Sequence, residues 1–249
     1  ALYSQDREVV AALERHRDAR YYLHSLDPQT PSARVFAALA PLEFAGALVL
    51  GTALQEQALA QVARSSLEAR EIGLVDTVTV TPAGLVGDYL LGRALGQALR
   101  AEGWDPRHAR AVVLGSGPEA RVVARELASA GVAHLSILAG DRPSAERSLP
   151  AVPRSTETTA RALLEPTAPL LVESADLIVR ADPNLRLDPA LLGPHLSVVD
   201  LAPEPLSELR RGALAVGAKT IGLRDLQAFE LSTALGHILG GALEVETFL

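Results

Sequence analysis

The stretch VVLGSGPEARVVARELASAG, residues 112–131, decides how the rest of the chain is read. An apolar run enters Gly115-Ser116-Gly117, and a helical spacing of apolar residues follows from Ala120 onward. A strand, a Gly-x-Gly-x-x-Ala turn and a helix make the fingerprint of a dinucleotide-binding unit. Its glycines permit a tight turn and bring a pyrophosphate close to the helix N-terminus. Gly115, Ser116, Gly117, Pro118 and Ala120 are therefore candidate cofactor-binding residues. Two residues argue the other way. Pro118 deletes one N–H donor, and Glu119 suits a bare helix N-terminus but repels a bound phosphate. A merely structural strand-to-helix turn gives the same short pattern.

Outward from this stretch, strands and helices alternate. Strands are expected at 111–115, 134–139, ADLIVRA (175–181), LSVVDLA (196–202) and KTIGL (219–223), with helices at 119–130 and PLSELRRGALAVG (205–217). Such alternation implies a parallel sheet covered on both faces. Toward the amino terminus the pattern predicts a helix at 5–19, a strand in ARYYLH (19–24), a helix at 32–40 and a strand at 46–51. One helix is expected through LQEQALAQVARSS (54–66), then two strands in LVDTVTVTPAGLVGD (74–88) that turn at Pro82-Ala83-Gly84, then a helix at 89–102. EGWDPRH (102–108) breaks the periodicity and reads as a hinge, and the end is helical from about 226. The expected fold is α/β with two domains and a cleft between them. Residues 1–102 with 226–249 form a substrate-type domain, and 106–222 a Rossmann-like NAD(P)-binding-type domain.

Composition narrows the chemistry. The chain has 249 residues, 48% hydrophobic, enough for a sizeable core. The absence of cysteine removes disulfides, thiolate metal sites and cysteine nucleophiles. The six histidines include no i, i+4 pair, so no metal is expected. A net charge of -7 argues against nucleic acid, and no apolar run reaches a membrane span. A cytoplasmic location is expected, with a small molecule as partner and room for a homodimer. Lys219 is the only lysine, so chemistry that needs an amine has one candidate. Asp200, in VVDLAP, ends an apolar strand, where it either faces a crevice or serves as a cap or loop acceptor.

Four passages in order resemble the shikimate/quinate dehydrogenase family. EAREIGLVDTVTVTPAGLVGD is similar to the family's Glu-Ala-x-x-Ile-Gly-Ala-Val-Asn-Thr stretch and its hairpin. VVLGSGPEAR resembles its Gly-Ala-Gly-Gly-Ala-x-Arg loop, and ADLIVRADP its Asp-Leu-Ile-Val-Asn-Ala-Thr-Pro segment. VVDLAPEPLSELRRGALAVGAKTIGL resembles the Asp-x-x-Tyr-x-Pro-x-x-Thr-Pro-Leu-Leu passage. The resemblance implies a two-domain NAD(P)-dependent oxidoreductase in which a lysine exchanges the substrate hydroxyl proton and an aspartate pairs with it.

At those positions this chain departs. Ungapped counting from Val75-Asp76-Thr77 puts the lysine of Asn-Val-Thr-x-Pro-x-Lys at Gln55, and Asn-Thr-Asp at Tyr89-Leu90-Leu91. The Ala-Val-Asn-Thr asparagine falls on Asp76, and Asp88 is the nearest spare carboxylate. The Ser-x-Ser that binds the substrate carboxylate has no secure match in ALYSQD (1–6). The Asn-Arg-Thr that grips the 2′-phosphate of NADP falls on Ala139, Gly140 and Asp141, with Arg142 one place late. Asp141 suits an unphosphorylated ribose, although AGDRPSAER (139–147) also reads as a surface loop. An amide does not exchange protons near neutral pH and leucine cannot hold a hydroxyl. The expectation is a family member without ordinary activity that binds a small ligand, or NAD or NADP weakly, in the cleft. The rivals are a working NAD(P)-dependent enzyme on another substrate, with Asp76 or a water chain moving the proton, and a structural or regulatory protein.

Overall fold

A computed structural model describes residues 2–3, 30–149, 155–241 and 245. The expected helix at 5–19, the strand at 19–24 and most of ALYSQD lie outside them. The chain divides into two compact units, 1–90 with 230–249 and 91–229.

The first unit is built on a five-stranded mixed sheet. Its strands are β1 (Leu2–Tyr3), β2 (Gly46–Val49), β3 (Arg64–Ser65), β4 (Thr77–Thr81) and β5 (Gly84–Asp88), in the order β1-β2-β4-β5-β3. β4 and β5 form the expected hairpin, pairing Thr77 with Asp88 through to Thr81 with Gly84. The Thr81 hydroxyl closes its turn by donating to the Gly84 carbonyl at 2.7 Å. The expected single helix at 54–66 is not formed. Helix α2 (Thr52–Leu59), which follows α1 (Ser32–Leu39), stops early. Ala63 N–H then donates to Leu85 O and Ser66 N–H to Gly87 O, so sheet pairing captures 63–66 against their helical propensity. Ser66 restarts the helix as the N-cap of α3 (Leu67–Ile72), its hydroxyl accepting from Ala69 N–H. A small core joins Leu48 and Leu90 to Leu231 and Ala234 of the closing helix.

The second unit holds a six-stranded, wholly parallel sheet. Its strands are β6 (Arg110–Leu114), β7 (His134–Ala139), β8 (Glu157–Ala162), β9 (Leu177–Arg180), β10 (Ser197–Asp200) and β11 (Lys219–Gly222). Their order is β11-β10-β9-β6-β7-β8, the doubly wound arrangement with its switch point between β6 and β9. β8 went unread in the sequence because it lies at the sheet edge and buries only Ala160, without an apolar run. The helices are α4 (Leu91–Ala101), α5 (Pro118–Ala130), α6 (Arg142–Arg147), α7 (Ala168–Glu173), α8 (Glu208–Ala215) and α9 (Leu223–Leu239). Val112, Leu114, Leu138, Ile178 and Val198 pack from the sheet into a core with α7 and α8 residues such as Val172 and Leu209.

Helix α4, expected with the substrate-type domain, belongs to the second unit. Its Gly92 and Gly96 let α5 approach closely. A Cβ at Gly92 would lie 3.2 Å from Val122, and one at Gly96 2.5 Å from the Glu126 carboxylate. EGWDPRH is accordingly a tie inside that unit rather than a hinge. Trp104 N–H donates to Leu99 O, and Lys219 Nζ donates to Glu102 O at 2.7 Å. The unit boundaries fall at 90/91 and 229/230, the latter inside α9, which runs unbroken through Gly236 and ends before Gly240 at φ +70°.

Candidate functional site

In the first unit, the end of β2, the start of β4 and the end of β5 gather the predicted pocket residues. The backbone ties them, since Val49 N–H donates to Asp76 O and Asp76 N–H to Asp88 O. Gln55, in α2, is 9% exposed and its Nε2 donates to Val49 O at 3.0 Å. The side chain that the sequence resemblance matched to the family lysine is thus an amide fastened to its own scaffold. Asp76 is 5% exposed and its Oδ2 accepts from Leu90 N–H at 2.6 Å. Asp88 is not a spare carboxylate, because His237 Nε2 of the closing helix lies 3.0 Å from its Oδ2.

Glu230 escaped the sequence reading. It stands one helical heptad before His237 on α9, so the two share a face. Protein crowds its carboxyl although the residue keeps some accessible surface. Burial, and then the Asp76 charge, push its pKa up to about 8. Nothing local marks a glutamate in QAFELSTALG as unusual, since its perturbing partner comes from the β4 end of the sheet. In the second unit Leu91, which the sequence resemblance matched to the family aspartate, is a buried first residue of α4.

The cofactor-type loop keeps its backbone. Gly115 has φ +144°, and a Cβ there would lie 3.1 Å from Asp182 N and 3.3 Å from Ala120 Cβ, so only glycine fits comfortably. Ser116 O accepts from the buried Ser148 Oγ at 3.0 Å, which anchors the loop to the end of α6. Gly117 is the N-cap of α5 and Pro118 its first residue. Glu119 Oε2 lies 3.4 Å from where a Gly117 Cβ would be, which places a carboxylate over the turn that would receive a pyrophosphate.

The expected surface loop at 139–147 is a capped helix. Asp141 is the N-cap of α6, accepting from Ser144 N–H at 2.8 Å and Ser144 Oγ at 2.9 Å, and these bonds lower its pKa. Gly140 beside it is exposed. Arg142 forks onto Glu165, with Nε 3.0 Å from Oε1 and Nη2 2.7 Å from Oε2. That fork holds the Glu165 carboxyl down at about 2, helped by Ala162 N–H. Arg142, one place after the position matched to the family arginine, is therefore engaged.

Asp200 is not a simple cap. Arg180 donates to it through Nε at 2.8 Å and Nη2 at 2.7 Å, and Ala202 N–H and the Ser207 hydroxyl donate as well. Arg180 is 6% exposed and Asp200 0%. Arg180 stands where ADLIVRADP is matched to an asparagine-containing segment. A cation ending one apolar strand and an anion ending the next was the available signal. No group of three histidine or carboxylate side chains among the described residues is placed to hold a metal ion. None of their helices is long and apolar enough to cross a membrane.

No family model matches the chain. It is 35% identical over 197 residues to shikimate dehydrogenase (NADP(+)) of Acidiphilium cryptum strain JF-5, spanning 78% of this chain and 70% of that one. It is 33% identical over 220 residues to shikimate dehydrogenase (NADP(+)) of Dinoroseobacter shibae, spanning 86% and 79%. Among solved structures, 5-ketofructose reductase of Gluconobacter sp. strain CHM43 aligns with TM-score 0.79 at 23% identity, over 98% of this chain and 92% of that one. Shikimate 5-dehydrogenase of Listeria monocytogenes, in complex with shikimate and NAD, aligns with TM-score 0.80 at 15% identity, over 99% and 93%. These two share the two-domain, Rossmann-like α/β fold. The sequence relatives fix the lineage: the chain belongs to the shikimate dehydrogenase family.

Proposed function

We propose that this family member does not carry out ordinary shikimate oxidation and serves as a binder of a small molecule, with weak dinucleotide affinity and no preference for NADP over NAD. The observation that carries the reading is Gln55, a buried amide whose Nε2 is spent on Val49 O where the family resemblance puts the proton-exchanging lysine. Leu91, buried and apolar, stands at the aspartate position. Lys219 offers no substitute, being the first residue of β11 and bound to Glu102 O.

The loop backbone suits a pyrophosphate, because Gly115 allows close approach and α5 presents its N-terminus. A nicotinamide dinucleotide bound there would supply hydride chemistry. Against strong binding stand Pro118, which lacks a donor, and the Glu119 carboxylate over Gly117. Gly140 carries no charge for a 2′-phosphate, and Arg142 would have to leave Glu165 to offer one. A cytoplasmic location and a small-molecule partner, rather than nucleic acid, belong to the same reading. Calorimetric titration with NAD, NADP and their reduced forms tests it. Equal, weak affinities are expected, and tight NADP binding that collapses in Arg142→Ala would overturn it.

One observation favours a second reading, an active oxidoreductase on a different substrate. Glu230, with its pKa near 8 beside Asp76, is a group able to exchange a proton at neutral pH. Its signature would be turnover of a carbonyl substrate with a pH profile that moves in Glu230→Gln.

A further inference from the structure

The sheet register aligns Leu114, Arg180, Asp200 and Gly222 across the carboxyl ends of β6, β9, β10 and β11. Arg180 adjoins the switch point between β6 and β9, the place where doubly wound sheets receive ligands. A guanidinium is a planar cation with five N–H donors. Asp200 takes two of them, one on Nε and one on Nη2. The remaining three, one on Nη2 and two on Nη1, make no hydrogen bond to a described residue. Arg180 as a residue is only 6% exposed, and the Nη1 edge is the part of its guanidinium that stays accessible to an acceptor.

Asp200 itself has nothing left to offer. Beyond the Arg180 fork it accepts from Ala202 N–H and from Ser207, which also caps α8 through Arg210 N–H. The neighbouring Asp182 carboxylate accepts from Asn184 N–H and Nδ2 through Oδ1. The side-on fork therefore fixes the guanidinium plane and leaves its end-on edge, Nη1 with Nη2, as a second fork.

We propose that Arg180 anchors a ligand carboxylate through this edge, with Asp200 and Ser207 as positioning residues. The proposal rests on the reading of the second unit as a receiver of small molecules. A planar carboxylate matches the paired N–H groups of the edge with both oxygens.

The test titrates the native protein with malonate, the neutral isostere malonamide and inorganic phosphate at fixed ionic strength, read by calorimetry and thermal shift. Saturable malonate binding without malonamide binding is expected. Arg180→Lys keeps the charge beside Asp200 but loses the planar fork, and malonate affinity should fall at least about tenfold. Arg107→Ala, which removes an exposed arginine paired only with Asp105, should leave it within about twofold. No saturable malonate binding by the native protein overturns the proposal, whether or not the variants fold. So does equal affinity in Arg180→Lys, or phosphate binding that exceeds malonate binding and depends on Arg180. Shikimate turnover and dinucleotide affinity are separate measurements, so a failure here leaves the proposed function standing.

Discussion

The end of the β4–β5 hairpin and the β6–α5 loop use their polar groups in different ways. At the loop the backbone has the form of a phosphate-receiving turn: Gly115 holds φ +144° against Asp182, and Gly117 caps α5. What changed is side-chain charge, with Glu119 over the turn and Arg142 turned to Glu165. At the hairpin the polar side chains have themselves become structural. Gln55 holds Val49 O, Asp76 holds Leu90 N–H, and Asp88 pairs with His237. A site whose polar groups are bonded to its own scaffold has few of them left for a ligand. A site that retains bare backbone keeps the means to bind.

That contrast breaks most readily at the sheet that carries the loop. Asp200→Ala leaves Arg180 as an uncompensated buried cation, and should cost about 3–5 kcal/mol in denaturant unfolding. Full stability in that variant would show that the pair is not closed as described. Gly115→Ala forces a Cβ toward Asp182 N at a left-handed φ, with an expected loss of about 1–3 kcal/mol. Dinucleotide affinity should fall with it, and an unchanged melting temperature would mean that the loop tolerates side chains.

The hairpin end is tested by pH. Glu230 has a folded pKa near 8, above the ordinary 4.5. The native state therefore binds one more proton than the unfolded chain between those values. Its protonation supports folding fully below about pH 4.5, and that support is lost as pH rises through about 8. Glu230→Gln should remove this slope and stabilise the protein at pH 8, with little change at pH 4. A slope that persists in the variant would assign it to another group. The smallest effect is at the surface. Arg142→Ala removes an exposed ion pair and should change stability by less than about 1 kcal/mol, while Glu119→Ala should strengthen dinucleotide binding. No gain there would remove charge repulsion from the account.

How much was legible follows from where each interaction lives. The Gly115 turn, the hairpin at Pro82-Ala83-Gly84 and the alternation of the second unit are local, and were readable as periodicity and turn chemistry. The matching of Gln55 and Leu91 to the family's lysine and aspartate rests on counting along the sequence. The break of the 54–66 helix was not, because Ser66 N–H and Ala63 N–H find their acceptors on β5. Nor was the Asp88–His237 pair, 149 residues apart in sequence, nor the effect of Asp76 on Glu230. In each case the fold supplies the partner, and residue type alone does not announce it.

The central claim is that the hairpin end no longer performs the family reaction. The direct measurement is shikimate oxidation followed at high protein concentration with NADP and with NAD, beside the Gln55→Lys, Leu91→Asp double variant. A positioned acid/base is worth about 10²–10⁴-fold, and here its orienting partner is absent too, so no turnover by the native protein is predicted. The restored pair should raise any residual rate. Turnover by the native protein at roughly 1 s⁻¹ or more, an ordinary enzymatic rate, would contradict the account.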